Sequence, residues 1–207
     1  MSDKIFYVSL QRTGTKSFGQ FFANNGYKAV SWSVSHAKNW PQLSIDGNFP
    51  AILESEEFKN GEIFEDGPWS HVNLVKYLYW AVPNSYFVYF DRPFEDWFDS
   101  MISHSKGANP GNAKRHATVY NCLEDYYGLV DRGLPARLDL ASRKEVYRRA
   151  FMNHRLQIRA FFEDKDPKRF FCADLYDKEK YKKLAAFWGL SFQHDDDIHI
   201  HKSNPKV

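Results

Sequence analysis

Short apolar runs rich in β-formers alternate along this chain with segments whose apolar side chains recur at helical spacing. Lys4 to Leu10 predicts a buried strand, and Gln11 to Lys16 a turn. Ser17 then opens a helix with Phe18, Phe21 and Phe22 at i, i+3 and i+4, stopped by Asn24-Asn25-Gly26. Lys28 to Trp32 reads as a second, short strand. Ala51 to Asn60 reads as a helix, and Glu62 to Glu65 as a strand end cut off by Gly67-Pro68. Trp69 to Ala81 is helical in pattern. Ser85 to Asp91 (SYFVYFD) is the clearest strand, and Pro93 starts the helix after it. Ser142 to Glu163 keeps helical spacing through Tyr147, Phe151, Ile158, Phe161 and Phe162. Arg169 to Ala173 predicts a late strand, and Lys178 to Trp188 a last helix closed by Gly189. Residues 33–49 carry no period, and KGANPGNAKR (106–115) predicts a loop.

Strands alternating with helices imply a parallel sheet covered on both faces, hence an α/β layered sandwich. With 207 residues the chain suits one domain, 1–207, with a full core. Its net charge of +2 lacks the strongly basic balance of a nucleic-acid binder, so any anion site must come from a few placed residues. Two cysteines, Cys122 and Cys172, give neither a disulfide framework nor a metal-ligand spacing. No apolar run approaches the roughly 20 residues that span a bilayer, and the opening MSDKIFYVSL lacks a secretory pattern. A cytoplasmic protein without membrane or nucleic-acid partners is the expectation.

Two constellations carry chemistry. The first joins the strand at Lys4 to the helix at Ser17 through Gln11-Arg12-Thr13-Gly14-Thr15-Lys16. A strand-to-helix turn gathers unpaired backbone N–H groups at the positive end of a helix dipole. Arg12 and Lys16 add charge, and Thr13, Thr15 and Ser17 add hydroxyls. Gly14 allows close approach of an anion. The pattern suits phosphate or sulfate. It departs from G-x-x-x-x-G-K-[ST], because Leu10 and Thr15 stand at the glycine positions. The second constellation is Arg92 at the end of the strand SYFVYFD, with Ser100 eight residues on along the helix from Pro93. Arg92 and Ser100 are expected to face the crevice beyond the strand ends, where an arginine fork and a hydroxyl suit a dianionic phosphate.

Arg12-Thr13-Gly14-Thr15-Lys16-Ser17 resembles the 5′-phosphosulfate loop of sulfotransferases, in the branch that reads R-T-G-T. FVYFDRPFEDWFDSM is similar to the second motif of that family, which grips a 3′-phosphate. FEDGPW, the segment RFFCADLYDKEKYKKLAAFWGL and the tail IHIHKSN resemble later parts of the family pattern less specifically. Many cytosolic members carry Lys where this chain has Arg12, and a basic R-K-G segment that is missing here. The resemblance implies a P-loop-like parallel sheet flanked by helices. It also implies 3′-phosphoadenosine 5′-phosphosulfate (PAPS) as sulfuryl donor and a small-molecule acceptor. Golgi members of the family carry a membrane anchor, which this sequence does not show. Gln11 through Ser17, with Arg92 and Ser100, would bind the donor.

The chemistry implied is in-line displacement at sulfur, with Arg12 and Lys16 stabilising the leaving bisphosphate and no metal required. The base would be Glu65 or Asp66, just before Gly67-Pro68. Strict alternation puts these two on opposite faces of an extended segment. His36, His71 and His104 are the other candidates, while Asp195-Asp196-Asp197 reads as a solvated loop. Two further readings stay open. One is a small-molecule kinase, because Lys16-Ser17 and Asp91 mimic nucleoside-triphosphate motifs. The other is a non-catalytic nucleotide-binding module.

Overall fold

The computed structural model describes residues 3–105 and 141–192. These group into two compact units, one made of residues 3–92 and 158–192, the other of residues 93–105 and 141–157. The predicted loop 106–115, Cys122, Asp195-Asp196-Asp197 and the tail IHIHKSN lie outside the described residues.

The first unit holds a five-stranded sheet in the order β2-β3-β1-β4-β5, parallel at every pairing. Its strands are β1 (Lys4–Tyr7), β2 (Ala29–Val30), β3 (Ile63–Phe64), β4 (Ser85–Asp91) and β5 (Phe170–Asp174). The helices are α1 (Thr15–Asn24), α2 (Trp32–Ala37), α3 (Trp40–Ile45), α4 (Phe49–Leu53), α5 (Glu56–Asn60) and α6 (Val72–Ala81). They are joined by the end of α8 (Lys144–Phe162) and by α9 (Lys180–Trp188).

Period-two alternation sorts the strands' side chains onto two cores. Ile5, Tyr7, Ile63, Val88 and Phe90 pack with Phe18, Phe21 and Phe22 of α1 and with Tyr181 and Leu184 of α9. Phe6, Val8, Phe64, Phe87 and Tyr89 pack on the other face with Leu74, Val75, Leu78 and Tyr79 of α6, and with Trp40, Phe58, Trp69, Ile158 and Phe162. The sheet covered on both faces that the alternation implied is therefore observed; its inner strands β1, β3 and β4 are mostly apolar because both their faces are buried, while the edge strands β2 and β5 keep exposed positions.

Local chemistry explains where elements differ from their patterns. The segment 33–49, which shows no period, folds as α2, α3 and the start of α4, each too short for a period to register. Ala51 to Asn60 breaks into α4 and α5 at Ser55, whose hydroxyl caps α5 by accepting from Phe58 N–H. Trp69 and Ser70 form a turn, so α6 begins only at Val72. Gly189 adopts φ 64 and closes α9.

Lys4 shows how far the first unit is knit together. Its ammonium is buried and donates to the carbonyls of Phe58, Lys59 and Gly61 at 2.8, 3.1 and 2.6 Å. The N-terminal strand is thus tied to the end of α5, and burial pulls the amine's pKa down, with Glu62 opposing.

In the second unit, α7 (Phe94–Ser105) and the first part of α8 carry a cluster of Phe94, Trp97, Tyr147 and Phe151. Glu95 pairs there with Lys144 and Arg148 at 2.6 and 2.7 Å.

Candidate active site

The turn between β1 and α1 is fixed by hydrogen bonds that use up some of its polar groups. The Tyr7 hydroxyl donates to the Thr13 carbonyl, and the Thr13 hydroxyl donates to the Leu10 carbonyl. Thr13 is buried, so its hydroxyl holds the turn and leaves only its backbone to an anion. Arg12 (φ 66) and Gly14 (φ 92) take left-handed backbone, which folds the loop tightly before Thr15 begins the helix. A Cβ on Gly14 would sit 2.9 Å from Leu175 Cδ1, so glycine answers to close packing here as well as to its dihedral. Thr15 is buried, Lys16 is exposed, and Gln11 and Ser17 are partly buried on the same turn.

Arg92 lies beside this loop. Strand β4 pairs with β1, and the two separate after Val8, where the Ser9 hydroxyl donates to the Phe90 carbonyl and accepts from its N–H. Past that point Arg92 Nη1 donates to the carbonyl of Arg12, and Nε donates to the Tyr176 hydroxyl at 3.2 Å. Burial lowers the Arg12 pKa, the positive charge of Arg92 lowers it further, and Asp66 opposes both. Two guanidiniums near enough to perturb one another, at the carboxyl ends of adjacent strands, make a local positive field that favours an anion.

Glu65 and Asp66 follow β3, the other neighbour of β1. Glu65 keeps the alternation begun by Ile63 and Phe64 and lies over α1 at Gly19, with 4% of its surface exposed. Its Oε1 accepts a long hydrogen bond from Trp32 N–H at 3.4 Å, while Oε2 is buried and has no hydrogen-bond partner among the described residues. Burial pushes this carboxyl up to about 7; the Asp66 charge adds to the rise and Lys16 opposes it.

Asp66 breaks the alternation with φ 66. Its side chain accepts from Gly67 N–H at 2.8 Å and from the Thr15 hydroxyl at 3.4 Å. The strict alternation expected from the sequence would separate the two acids. The left-handed residue instead leaves both under the influence of Lys16. Burial raises Asp66 too, against Gly67, Thr15, Lys16 and Arg12.

The remaining candidates sit on or just before helices α2, α6 and α7. His36 is exposed on α2, its ring 5.6 Å from Trp32. His71 sits before α6 with Nδ1 2.7 Å from the Ser44 hydroxyl. His104 and Ser100 belong to the second unit, His104 exposed and Ser100 buried on α7. Asp91 is engaged on both oxygens, accepting from Arg92 N–H and pairing with Arg159 at 2.8 Å.

Sequence reasoning passed over Tyr7, Ser9, Gly19, Trp32 and Tyr176. Of these only Gly19 left a readable signal, a glycine inside an otherwise strong helical pattern.

Among the described residues, no group of three or more His, Cys, Asp or Glu could hold a metal ion, and no helix is long and apolar enough to cross a membrane. Residues 4–195 match a family model described as a sulfotransferase domain. No curated protein matches the chain.

Proposed function

The chain belongs to the sulfotransferase domain family, and from that premise we propose that it moves a sulfuryl group from PAPS to a hydroxyl or amine of a small-molecule acceptor. The observation that carries this reading is the junction of Arg12 and Arg92, where one guanidinium is hydrogen-bonded to the other residue's carbonyl. A donor with phosphates at both 5′ and 3′ positions matches two adjoining cationic motifs; a single-phosphate ligand would leave one of them unused.

In this reading the loop Gln11 to Ser17 binds the 5′-phosphosulfate with its backbone N–H groups, and Arg92 binds the 3′-phosphate. Ser100 is assigned to the same phosphate on its spacing from Arg92 in the sequence. Glu65 is the base. Its unpartnered Oε2 takes the acceptor's proton as the acceptor atom bonds to sulfur. The sulfur–oxygen bond to the bisphosphate breaks in the same step, and the electron pair stays on the leaving oxygen. Arg12 and Lys16 stabilise the charge that develops there. Asp66 holds the Thr15 hydroxyl and keeps the loop seated. The scheme calls on no metal ion, treats residues 1–207 as one functional domain, and fits a cytoplasmic enzyme.

The kinase reading loses support from Asp91, which would have to face a magnesium ion but is spent on Arg159 and on Arg92 N–H. The test is thermal unfolding with adenosine 3′,5′-bisphosphate and chelator against ATP with Mg²⁺, followed by transfer of labelled sulfuryl from PAPS to an acceptor panel. Stabilisation by the bisphosphate alone, with transfer, supports the proposal. Stabilisation by ATP–Mg²⁺ alone replaces it with the kinase. Binding without transfer to any acceptor leaves a nucleotide-binding module.

A further inference from the structure

We infer that Tyr176 belongs to the donor site, as the residue that orients the Arg92 guanidinium for the 3′-phosphate; the inference rests on the donor reading above. Tyr176 follows β5 in a turn that touches both phosphate motifs. Leu175 N–H donates to the Asp91 carbonyl at 2.8 Å, beside Arg92, and the Leu175 side chain packs under Gly14 of the loop. Tyr176 N–H donates to the Asp174 carboxylate at 2.7 Å, which fixes the backbone of the turn. From that anchored position the Tyr176 hydroxyl accepts from Arg92 Nε at 3.2 Å, and its ring lies 5.9 Å from the guanidinium carbon.

The geometry selects how Arg92 can grip an anion. A guanidinium offers a bidentate fork either along its Nε–Nη edge or at its Nη1–Nη2 end. Tyr176 occupies Nε, and the Arg12 carbonyl takes one N–H of Nη1. What is left are the hydrogens of Nη2 and the second hydrogen of Nη1, so an anion must approach Arg92 from its Nη end and not along the Nε edge. Tyr176 is more than half exposed, at 52%, so its hydroxyl is not buried there for the sake of the core. An exposed tyrosine that fixes one edge of an arginine beside a phosphate loop is a positioning residue for the ligand.

The experiment compares two ligands on Tyr176→Phe and Tyr176→Ala by calorimetric titration. Adenosine 3′,5′-bisphosphate carries the phosphate that Arg92 would hold, and adenosine 5′-monophosphate lacks it. Tyr176→Phe keeps the ring and removes the hydroxyl. It is expected to bind the bisphosphate roughly 3- to 10-fold more weakly and the monophosphate unchanged, with Tyr176→Ala at least as impaired for the bisphosphate. Equal weakening of both ligands would make Tyr176 a structural residue and overturn the inference, as would wild-type affinity for both. Wild-type protein that binds no bisphosphate at all would sink the donor reading itself, and this inference with it. Unfolding temperatures of the two variants close to wild type exclude a general loss of fold.

Discussion

Glu65 lies in the space that a side chain at position 19 would need: a Cβ on Gly19 would sit 2.9 Å from Glu65 Cγ. The carboxylate therefore depends on an absent methyl group. Gly19→Ala is expected to favour α1 by about 0.5–1 kcal/mol of intrinsic propensity while displacing the carboxylate. Turnover should fall by roughly tenfold or more, since small misplacements of a reacting group are expensive. Unfolding should change little. Steady-state kinetics set beside a melting curve check this, and full turnover in the variant would remove Glu65 from the chemistry.

Glu65→Gln is expected to lower turnover by about 10²-fold or more while leaving bisphosphate binding intact. Asp66→Asn should instead weaken the hold on Thr15 and affect donor binding as well as turnover. Assays at saturating donor, paired with titrations of the bisphosphate, separate the two. Near-normal turnover in both variants would move the search for the base to His36, His71 and His104.

The raised carboxyl of Glu65 gives two pH dependences of opposite sign. Proton removal requires the ionised form, so turnover should climb with pH and reach half its plateau near 7. Stability runs the other way. The folded state holds the Glu65 proton more tightly than the unfolded chain does. Its contribution is complete below the ordinary value of 4.5 and is lost as pH rises through about 7. The loss is on the order of 3 kcal/mol across that window, and Glu65→Gln should abolish it. Denaturant unfolding from pH 4 to 8 measures the slope directly.

Arg92→Ala should weaken bisphosphate binding by roughly 2–4 kcal/mol. Because Arg92 also holds the Arg12 carbonyl, a smaller loss is expected for adenosine 5′-phosphosulfate, which lacks the 3′-phosphate. Equal losses for the two ligands would mean that Arg92 serves only the loop.

Lys4→Met keeps the apolar stem of the side chain as far as Cε but leaves three carbonyls without the ammonium. The expected cost is about 3 kcal/mol of stability, with nucleotide affinity unchanged in the protein that remains folded. Gly61→Ala is a second stability test. A Cβ there would lie 2.9 Å from the Glu57 carbonyl and 2.5 Å from Val30, so destabilisation without any specific effect on catalysis is expected.

Much of this arrangement could be read before the structure. SYFVYFD folds as β4 over the span its apolar run marks, because a strand buried on both faces needs no polar interruptions. The turn after β1 and the position of Arg92 at a strand end were also legible, since glycine, hydroxyl and cationic residues at fixed offsets carry their own mechanism, although α1 begins at Thr15, two residues before the start at Ser17 that the pattern predicts. What stayed hidden depends on long-range contact. Nothing near Lys4 in the sequence points to carbonyls more than fifty residues away. Asp66 reads as the next residue of an extended segment, and only its left-handed backbone turns it toward Thr15. Tyr176 looks like any exposed tyrosine in a polar turn until Arg92 is seen beside it. The three short helices between Trp32 and Leu53 each last too few residues for a period to emerge.

The strand order also has a bearing on how the protein is made. Strand β1 is synthesised before its partners, yet it occupies the middle of the sheet, between β3 and β4. At roughly 5–20 residues per second, the ribosome needs on the order of ten seconds to go from Tyr7 to Asp91. Until β3 is made, neither edge of the apolar stretch from Ile5 to Val8 has a partner, and until β4 is made one edge stays open, which is when a nascent chain is most open to aggregation and to chaperone capture. A fragment that stops short of Ser85 would therefore be no smaller version of the folded unit, but a chain with its central strand left open along one whole side.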